Sequence, residues 1–146
     1  MIIEKEKKFL LKYLPIYQSK INIQQGYLMF DKGENFRIRI IDNTIAFITY
    51  KSLISVGINK EFEYQVPLTD GIELLKLSKI SVKKTRYIYS KNIVIDLYII
   101  DGKEIGVVEV EYENEDELNN LPNFIGNDIT GDKYYSNINI AKIQSL

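Results

Sequence analysis

Strict alternation of apolar and charged positions marks this chain as a series of β-strands. Phe36, Ile38 and Ile40 share one face of a strand and Arg37 and Arg39 the other. Lys60 to Val66 sets Phe62, Tyr64 and Val66 against Glu61, Glu63 and Gln65. Asn92 to Ile100 opposes Ile93, Ile95, Leu97 and Ile99 to Asp96 and Tyr98, and Ile105 to Tyr112 opposes Val108 and Val110 to Glu109 and Glu111. Further strands are expected at Glu4–Phe9, Lys20–Phe30, Thr44–Lys51 and Lys79–Tyr89, the last placing Lys84 and Arg86 together. Turns fall at Asp31-Lys32-Gly33, Asp42-Asn43 and Asp101-Gly102, the last a tight-hairpin signal.

Helical signals are fewer. Thr69 or Asp70 can cap a helix running to Leu77, with Ile72 and Leu75 as its apolar stripe. A short acidic helix is expected over Glu115–Leu121, stopped by Pro122. Gly126 to Asp132 reads as a loop and Lys133 to Gln144 as a final helix, with Ser136 and Asn137 as helix-start residues. Lys12 to Lys20 is irregular around Pro15. The tyrosines read as packing and rim residues, and no glycine loop of the phosphate-cradling kind is present.

The 146 residues suit one domain, 1–146, with one sizeable core, and the near-neutral charge of -1 gives no global field toward nucleic acid or an anionic membrane. Any anion site must therefore be local. The chain has no Cys and no His. That excludes disulfides, thiolate nucleophiles, a Ser-His-Asp triad and ordinary zinc sites. A bound metal would take oxygen ligands and be Mg²⁺, Mn²⁺ or Ca²⁺. Charge from Glu4 onward argues against a signal peptide, and no apolar run is long enough to span a membrane, so a soluble cytoplasmic protein is expected.

The charged faces then change the picture. Glu4, Glu6 and Lys8 share one face of the first strand. Acidic side chains recur as Glu61, Glu63, Asp96, Glu109 and Glu111, and basic ones as Arg37, Arg39, Lys51, Lys84 and Arg86. A solubilising sheet face would mix signs along each strand, whereas the later strands here each carry one sign. Segregation suggests an acidic wall for cations facing a basic wall for phosphates. If the sheet closes, these faces line a polar lumen.

The residues also carry a family resemblance. Glu4-x-Glu6-x-Lys8 resembles the opening motif of the CYTH domain, the triphosphate tunnel metalloenzymes. Matches follow in the family's order at Gln25-Gly26-Tyr27-Leu28, Arg37-Ile38-Arg39, Thr49-Tyr50-Lys51, Glu61-Phe62-Glu63-Tyr64, Lys84-Thr85-Arg86-Tyr87, Asp96, Glu109-Val110-Glu111 and Thr130 to Asn137. Tyr134 stands where relatives often carry Arg, and Lys133 is the substitute for that anion contact.

The resemblance implies a mainly β (α+β) fold: a closed eight-stranded antiparallel barrel forming a charged tunnel, with short outer helices and a C-terminal helix. It implies Mg²⁺ or Mn²⁺, two ions, acting on small-molecule triphosphates. Glu4, Glu6 and Lys8 are the expected catalytic residues. Lys8, Arg37, Arg39, Lys51, Lys84, Arg86 and Lys133 are expected to bind phosphate. Glu4, Glu6, Glu61, Glu63, Asp96, Glu109 and Glu111 are the expected metal ligands. The expected reaction is hydrolysis of inorganic tripolyphosphate to pyrophosphate and phosphate, by a monomer or homodimer. The rivals are a class IV-type adenylyl cyclase, a nucleoside or thiamine triphosphatase, and a non-catalytic polyphosphate-binding module.

Overall fold

A computed structural model describes residues 1–145. The alternating segments form one antiparallel sheet: β1 (Ile2–Leu11), β2 (Ser19–Asp31), β3 (Glu34–Ile41), β4 (Ile45–Ser55), β5 (Ile58–Val66), β6 (Ile80–Ile88), β7 (Ile93–Ile100), β8 (Lys103–Glu111) and β9 (Ile125–Asp128). Its order is β5-β4-β3-β2-β6-β7-β8-β1-β9, and β5 also pairs with β1. That extra pairing closes the first eight strands into a barrel and leaves β9 outside. Closure removes the exposed edges that an open sheet would present.

Closure works because β1 changes partners along its length. Its first half pairs with β5, from Ile2↔Glu61 to Lys5↔Ile58. Glu6 N then donates to Gly57 O at 2.9 Å, and the rest of that edge passes to β9 at Phe9↔Asp128 and Leu11↔Ile125. The opposite edge of β1 pairs with β8 throughout Glu6–Leu10. The expected loop over Gly126–Asp132 thus contains part of a strand. β9 has four residues and no clean alternation, so neither length nor period marks it.

The hairpin turn at Asp101-Gly102 forms as expected. Both residues have positive φ, 51° and 76°, which suits a turn whose twist matches the flanking strands.

The outer faces are covered in pieces. α1 (Leu68–Leu77) packs on Ile38, Ile40 and Ala46 through Leu68, Leu74 and Leu75. A Cβ on its Gly71 would lie 2.5 Å from the Ala46 Cβ, so glycine permits the close approach of helix to sheet. The expected Thr69 or Asp70 cap is corrected. The helix starts earlier, behind Pro67, and has no side-chain cap bond. Ile72 is exposed rather than part of the packed stripe. On the other side, Phe9, Ile93, Ile95, Val108 and Val110 pack under Phe124, Leu118 and Leu121. The acidic helix there is a short 3₁₀ turn over Glu115–Leu118.

The expected C-terminal helix is divided. A 3₁₀ turn at Lys133–Tyr135 leads to α2 (Asn137–Gln144), capped by Ser136, whose hydroxyl accepts from Asn139 N. Ile140 and Ala141 of α2 join Tyr27, Val82, Tyr98, Ile100 and Val107 in one buried cluster. Those five are interior barrel residues, so α2 covers an apolar part of the lumen. Where the β6–β7 pairing ends at Thr85↔Leu97, Gln144 bridges the two strands. Its Oε1 accepts from Lys83 N at 2.9 Å, and its Nε2 donates to Ile99 O at 3.2 Å. A side-chain amide replaces a missing strand partner, which keeps those backbone groups satisfied.

Candidate active site

The remaining interior is polar. It forms a cavity of about 190 Å³ lined by Glu4, Glu6, Lys8, Arg37, Arg39, Lys51, Glu61, Glu63, Arg86, Glu109, Glu111 and Asn137. Strand register explains the gathering. Glu6 stands opposite Glu111 and Lys8 opposite Glu109 across β1–β8, while Lys51 stands opposite Glu61 and Thr49 opposite Glu63 across β4–β5. A larger groove of about 1030 Å³ lies on the outer side of β2, β6 and β7. Its lining is mostly amide, hydroxyl and aliphatic, with Asp42, Lys83, Lys84 and Asp101 as its charged groups, whereas acidic and basic side chains dominate the smaller chamber.

Glu4, Glu6 and Glu111 form the acidic wall. Each offers a carboxylate oxygen, and the three oxygens lie within 4.8 Å of one another. Their electrostatics differ. Burial pushes Glu6 up most, then Glu109 adds to it, and the carboxyl reaches about 8 against the pull of Lys8 and Lys51. Burial also raises Glu111, helped by Glu4 and Glu109. Burial would raise Glu4 as well, but Lys51, 2.7 Å away, outweighs it and holds Glu4 below its ordinary value. Like charges crowded in a dry site disfavour full ionisation. A hard divalent cation relieves that crowding and takes oxygen donors, so the trio fits one.

Two arginines of the basic wall, Arg37 and Arg39, have no carboxylate paired to them among the described residues. Arg37 is 6% exposed, and its Nε has no hydrogen-bond partner among the described residues. Arg39 donates its Nε to Gln25 Oε1 at 2.9 Å, and Gln25 in turn donates to the Tyr27 hydroxyl at 2.8 Å. Burial lowers Arg39 to about 10, with Arg37 and Arg86 pushing in the same direction. Lys8 runs the other way. Burial would lower it, but Glu109 and Glu6 outweigh burial and raise it. Buried polar donors without acceptors are costly. A polyanion entering this chamber would satisfy them.

Asp96 sits apart from the trio. Its Oδ1 accepts from Arg86 Nε at 2.7 Å, and its Oδ2 accepts from Arg86 Nη2 and Lys84 Nζ, each at 2.9 Å. The Asp96 and Lys84 side chains are fully buried. Burial would raise Asp96, but Arg86 and then Lys84 outweigh it and hold the carboxyl low. Burial likewise would raise Glu109, yet Arg86, Lys8 and Lys84 keep it well below its ordinary value. Arg86 Nη2 reaches Glu109 Oε2 at 3.4 Å.

Of the expected metal ligands, the structure therefore clusters Glu4, Glu6 and Glu111. Glu61 pairs with Lys51 at 3.4 Å, Glu63 accepts from the Thr49 hydroxyl at 2.8 Å, and Asp96 and Glu109 face the cations of β6. Of the expected phosphate ligands, Lys8, Arg37, Arg39, Lys51 and Arg86 line the cavity. Lys84 lies buried behind it, and Lys133 is exposed on the 3₁₀ turn and lines none of it. Sequence reasoning placed Gln25 and Asn137 within family-like motifs but gave Gln25, fully buried and holding Arg39, no role, and read Asn137 as a helix-start residue. Gln25 lies two residues from Tyr27 and on the same strand face, but nothing in an isolated glutamine marks it as a support for an arginine on the next strand.

A closed antiparallel barrel encloses a carboxylate trio together with two arginines, Arg37 and Arg39, that lack a paired carboxylate among the described residues, an arrangement suited to a cation and a polyanion held side by side. The CYTH domain family model matches residues 2–128, and the chain belongs to that family. It is 30% identical over 148 residues to an inorganic triphosphatase of Acetivibrio thermocellus, covering 95% of this chain and 93% of that one. Its fold is similar to the solved structure of the inorganic triphosphatase NE1496, with a TM-score of 0.63 and 29% identity over 97% of this chain and 95% of that one. The PH1012 protein from Pyrococcus horikoshii OT3 shares the fold at a TM-score of 0.56 and 22% identity, covering 78% of this chain and 82% of that one. Among the described residues no helix is long and apolar enough to cross a membrane.

Proposed function

We propose that this protein is a metal-dependent inorganic triphosphatase that hydrolyses tripolyphosphate to pyrophosphate and phosphate. One observation carries the reading: the chamber sets Glu4, Glu6 and Glu111 opposite Arg37 and Arg39, which have no carboxylate paired to them among the described residues. The 30% identity to an inorganic triphosphatase supports it.

Lys8, Arg37, Arg39, Lys51 and Arg86 bind phosphoryl oxygens, the arginines through paired N–H donors and the lysines as compact charges. Lys84 and Asp96 hold Arg86 in place. Glu4, Glu6 and Glu111 hold Mg²⁺ or Mn²⁺, and two ions suit a substrate with this much charge. The cation supplies charge neutralisation and activation of water when bound. In the reaction a water oxygen bonds to the terminal phosphorus and the bridging P–O bond breaks. The bonding electrons leave with pyrophosphate, and the water proton passes to a carboxylate. Glu4 or Glu6, on the β1 face that enters the chamber, is the proposed acceptor or water-positioning carboxylate. The cytoplasm, where Mg²⁺ and soluble phosphate esters meet, is the proposed compartment.

The substrate is small because the chamber is small, and its walls supply charge rather than a platform for a base or sugar. A panel of tripolyphosphate, ATP and thiamine triphosphate with Mg²⁺ or Mn²⁺ tests this. Tripolyphosphate should exceed ATP at least about tenfold in kcat/KM, which corresponds to roughly 1.4 kcal/mol. Cyclic AMP with stoichiometric pyrophosphate from ATP would overturn the reading in favour of a cyclase.

A further inference from the structure

Asn137 is the cavity-lining residue that no barrel strand supplies. It is the first residue of α2, fixed there by the Ser136 cap, and it lines the polar chamber with Glu6, Lys8 and Arg39. Its Oδ1 accepts from the Tyr98 hydroxyl and, at 3.3 Å, from Lys84 Nζ. The amide orientation follows from donor chemistry. A lysine ammonium has three donors and no acceptor, so the side-chain oxygen of Asn137 must be the atom facing it. The Nδ2 group is then turned away from Lys84. Among the described residues Nδ2 donates to no acceptor, although the oxygen bound to the same carbon is used twice. Two donor hydrogens are thereby left beside a chamber in which Arg37 Nε is likewise a donor without a partner among the described residues.

We propose that Asn137 is a substrate-binding residue, its Nδ2 donating a hydrogen bond to a phosphoryl oxygen of the polyphosphate, while Oδ1 keeps Lys84 and Tyr98 in register. The proposal rests on the triphosphatase reading above. It gives α2 a part in the site: the helix that covers the apolar end of the lumen also delivers a neutral donor to the polar end.

Two variants separate contact from support. Asn137→Asp keeps an oxygen toward Lys84 and Tyr98 but presents an anionic oxygen where the donor was. Asn137→Ala removes both. Melting temperature, KM and kcat for tripolyphosphate would be measured for each, with calorimetric titration of tripolyphosphate in EDTA as a turnover-free binding readout. A hydrogen bond to a charged group is worth about tenfold to a hundredfold in binding. Asn137→Ala should raise KM about tenfold. Asn137→Asp should melt within a few degrees of wild type yet bind about a hundredfold more weakly, because it sets like charges together. If Asn137→Asp restores wild-type KM and binding, Asn137 merely supports Lys84 and the proposal is overturned. If Asn137→Asp does not fold, a wild-type KM for a folded Asn137→Ala overturns it equally. A wild-type protein that neither binds nor hydrolyses tripolyphosphate would instead overturn the triphosphatase reading, a distinguishable result.

Discussion

Asp96 and Glu6 project into the same barrel interior, from β7 and β1, and sit in opposite electrostatic surroundings. Asp96 has a bidentate arginine and a lysine within 2.9 Å, and these hold its carboxyl below the ordinary value. Glu6 has Glu4 and Glu111 within 4.8 Å, and burial lifts its carboxyl to about 8. The first arrangement is internally neutralised and complete. The second crowds like charges, which a cation would relieve. The same residue chemistry thus stands in two surroundings within one fold, paired cations around Asp96 and neighbouring carboxylates around Glu6.

Substitutions should split accordingly. Asp96→Asn leaves Lys84 and Arg86 buried without their shared anion, a loss of about 3–5 kcal/mol. The melting temperature should drop on the order of 10 °C by differential scanning calorimetry. Glu111→Gln removes one of three crowded carboxylates. Steady-state assays should show kcat reduced at least about a thousandfold, roughly 4 kcal/mol, with the metal-free melting temperature unchanged or higher. If Glu111→Gln unfolds the protein while Asp96→Asn is silent, the two regions have been assigned the wrong way round.

The pH response should divide the same way. Folded Glu6, at about 8, keeps a proton that the unfolded chain, near 4.5, has already released. Between those values protonation favours the folded state, so the metal-free protein loses stability as pH rises from about 4.5 to 8. Asp96 acts at the other end. Its contribution is present above the unfolded value of 3.8 and disappears as pH falls through its lower folded value. Melting curves across pH 3 to 9 should show both limbs, and Glu6→Gln should flatten only the upper one.

The smallest effect should come from the basic wall. Arg39→Ala removes one charge-assisted contact, so tripolyphosphate KM should rise about tenfold to a hundredfold with little change in melting temperature. Unchanged KM and kcat would place Arg39 outside the substrate path.

Much of this was legible because a strand has a period of two. Arg37-Ile38-Arg39 and Glu109-Val110-Glu111 show which side faces the lumen without any tertiary information, and Asp101-Gly102 marks its hairpin by φ alone. The division between β7 and β1 was not legible. Asp96 and Glu6 look alike in sequence, and only cross-strand register, Arg86↔Asp96 against Glu6↔Glu111, decides which is neutralised. Asn137 was hidden for a related reason. Its helical position predicts a cap neighbour, while its place beside Lys84 depends on where α2 docks. β9 escaped because its four residues have one strand partner, β1, and no period of their own.

The assignment of the acidic trio is tested most directly by metal-dependent melting. Wild type and Glu111→Gln would be heated with EDTA and with saturating Mn²⁺. Binding to the folded state alone raises stability by about 2.7 kcal/mol at a hundredfold excess over Kd. The wild-type melting temperature should therefore rise by several degrees with Mn²⁺, and that of Glu111→Gln should rise little. Equal Mn²⁺ shifts in both proteins would place the cation elsewhere and contradict the account.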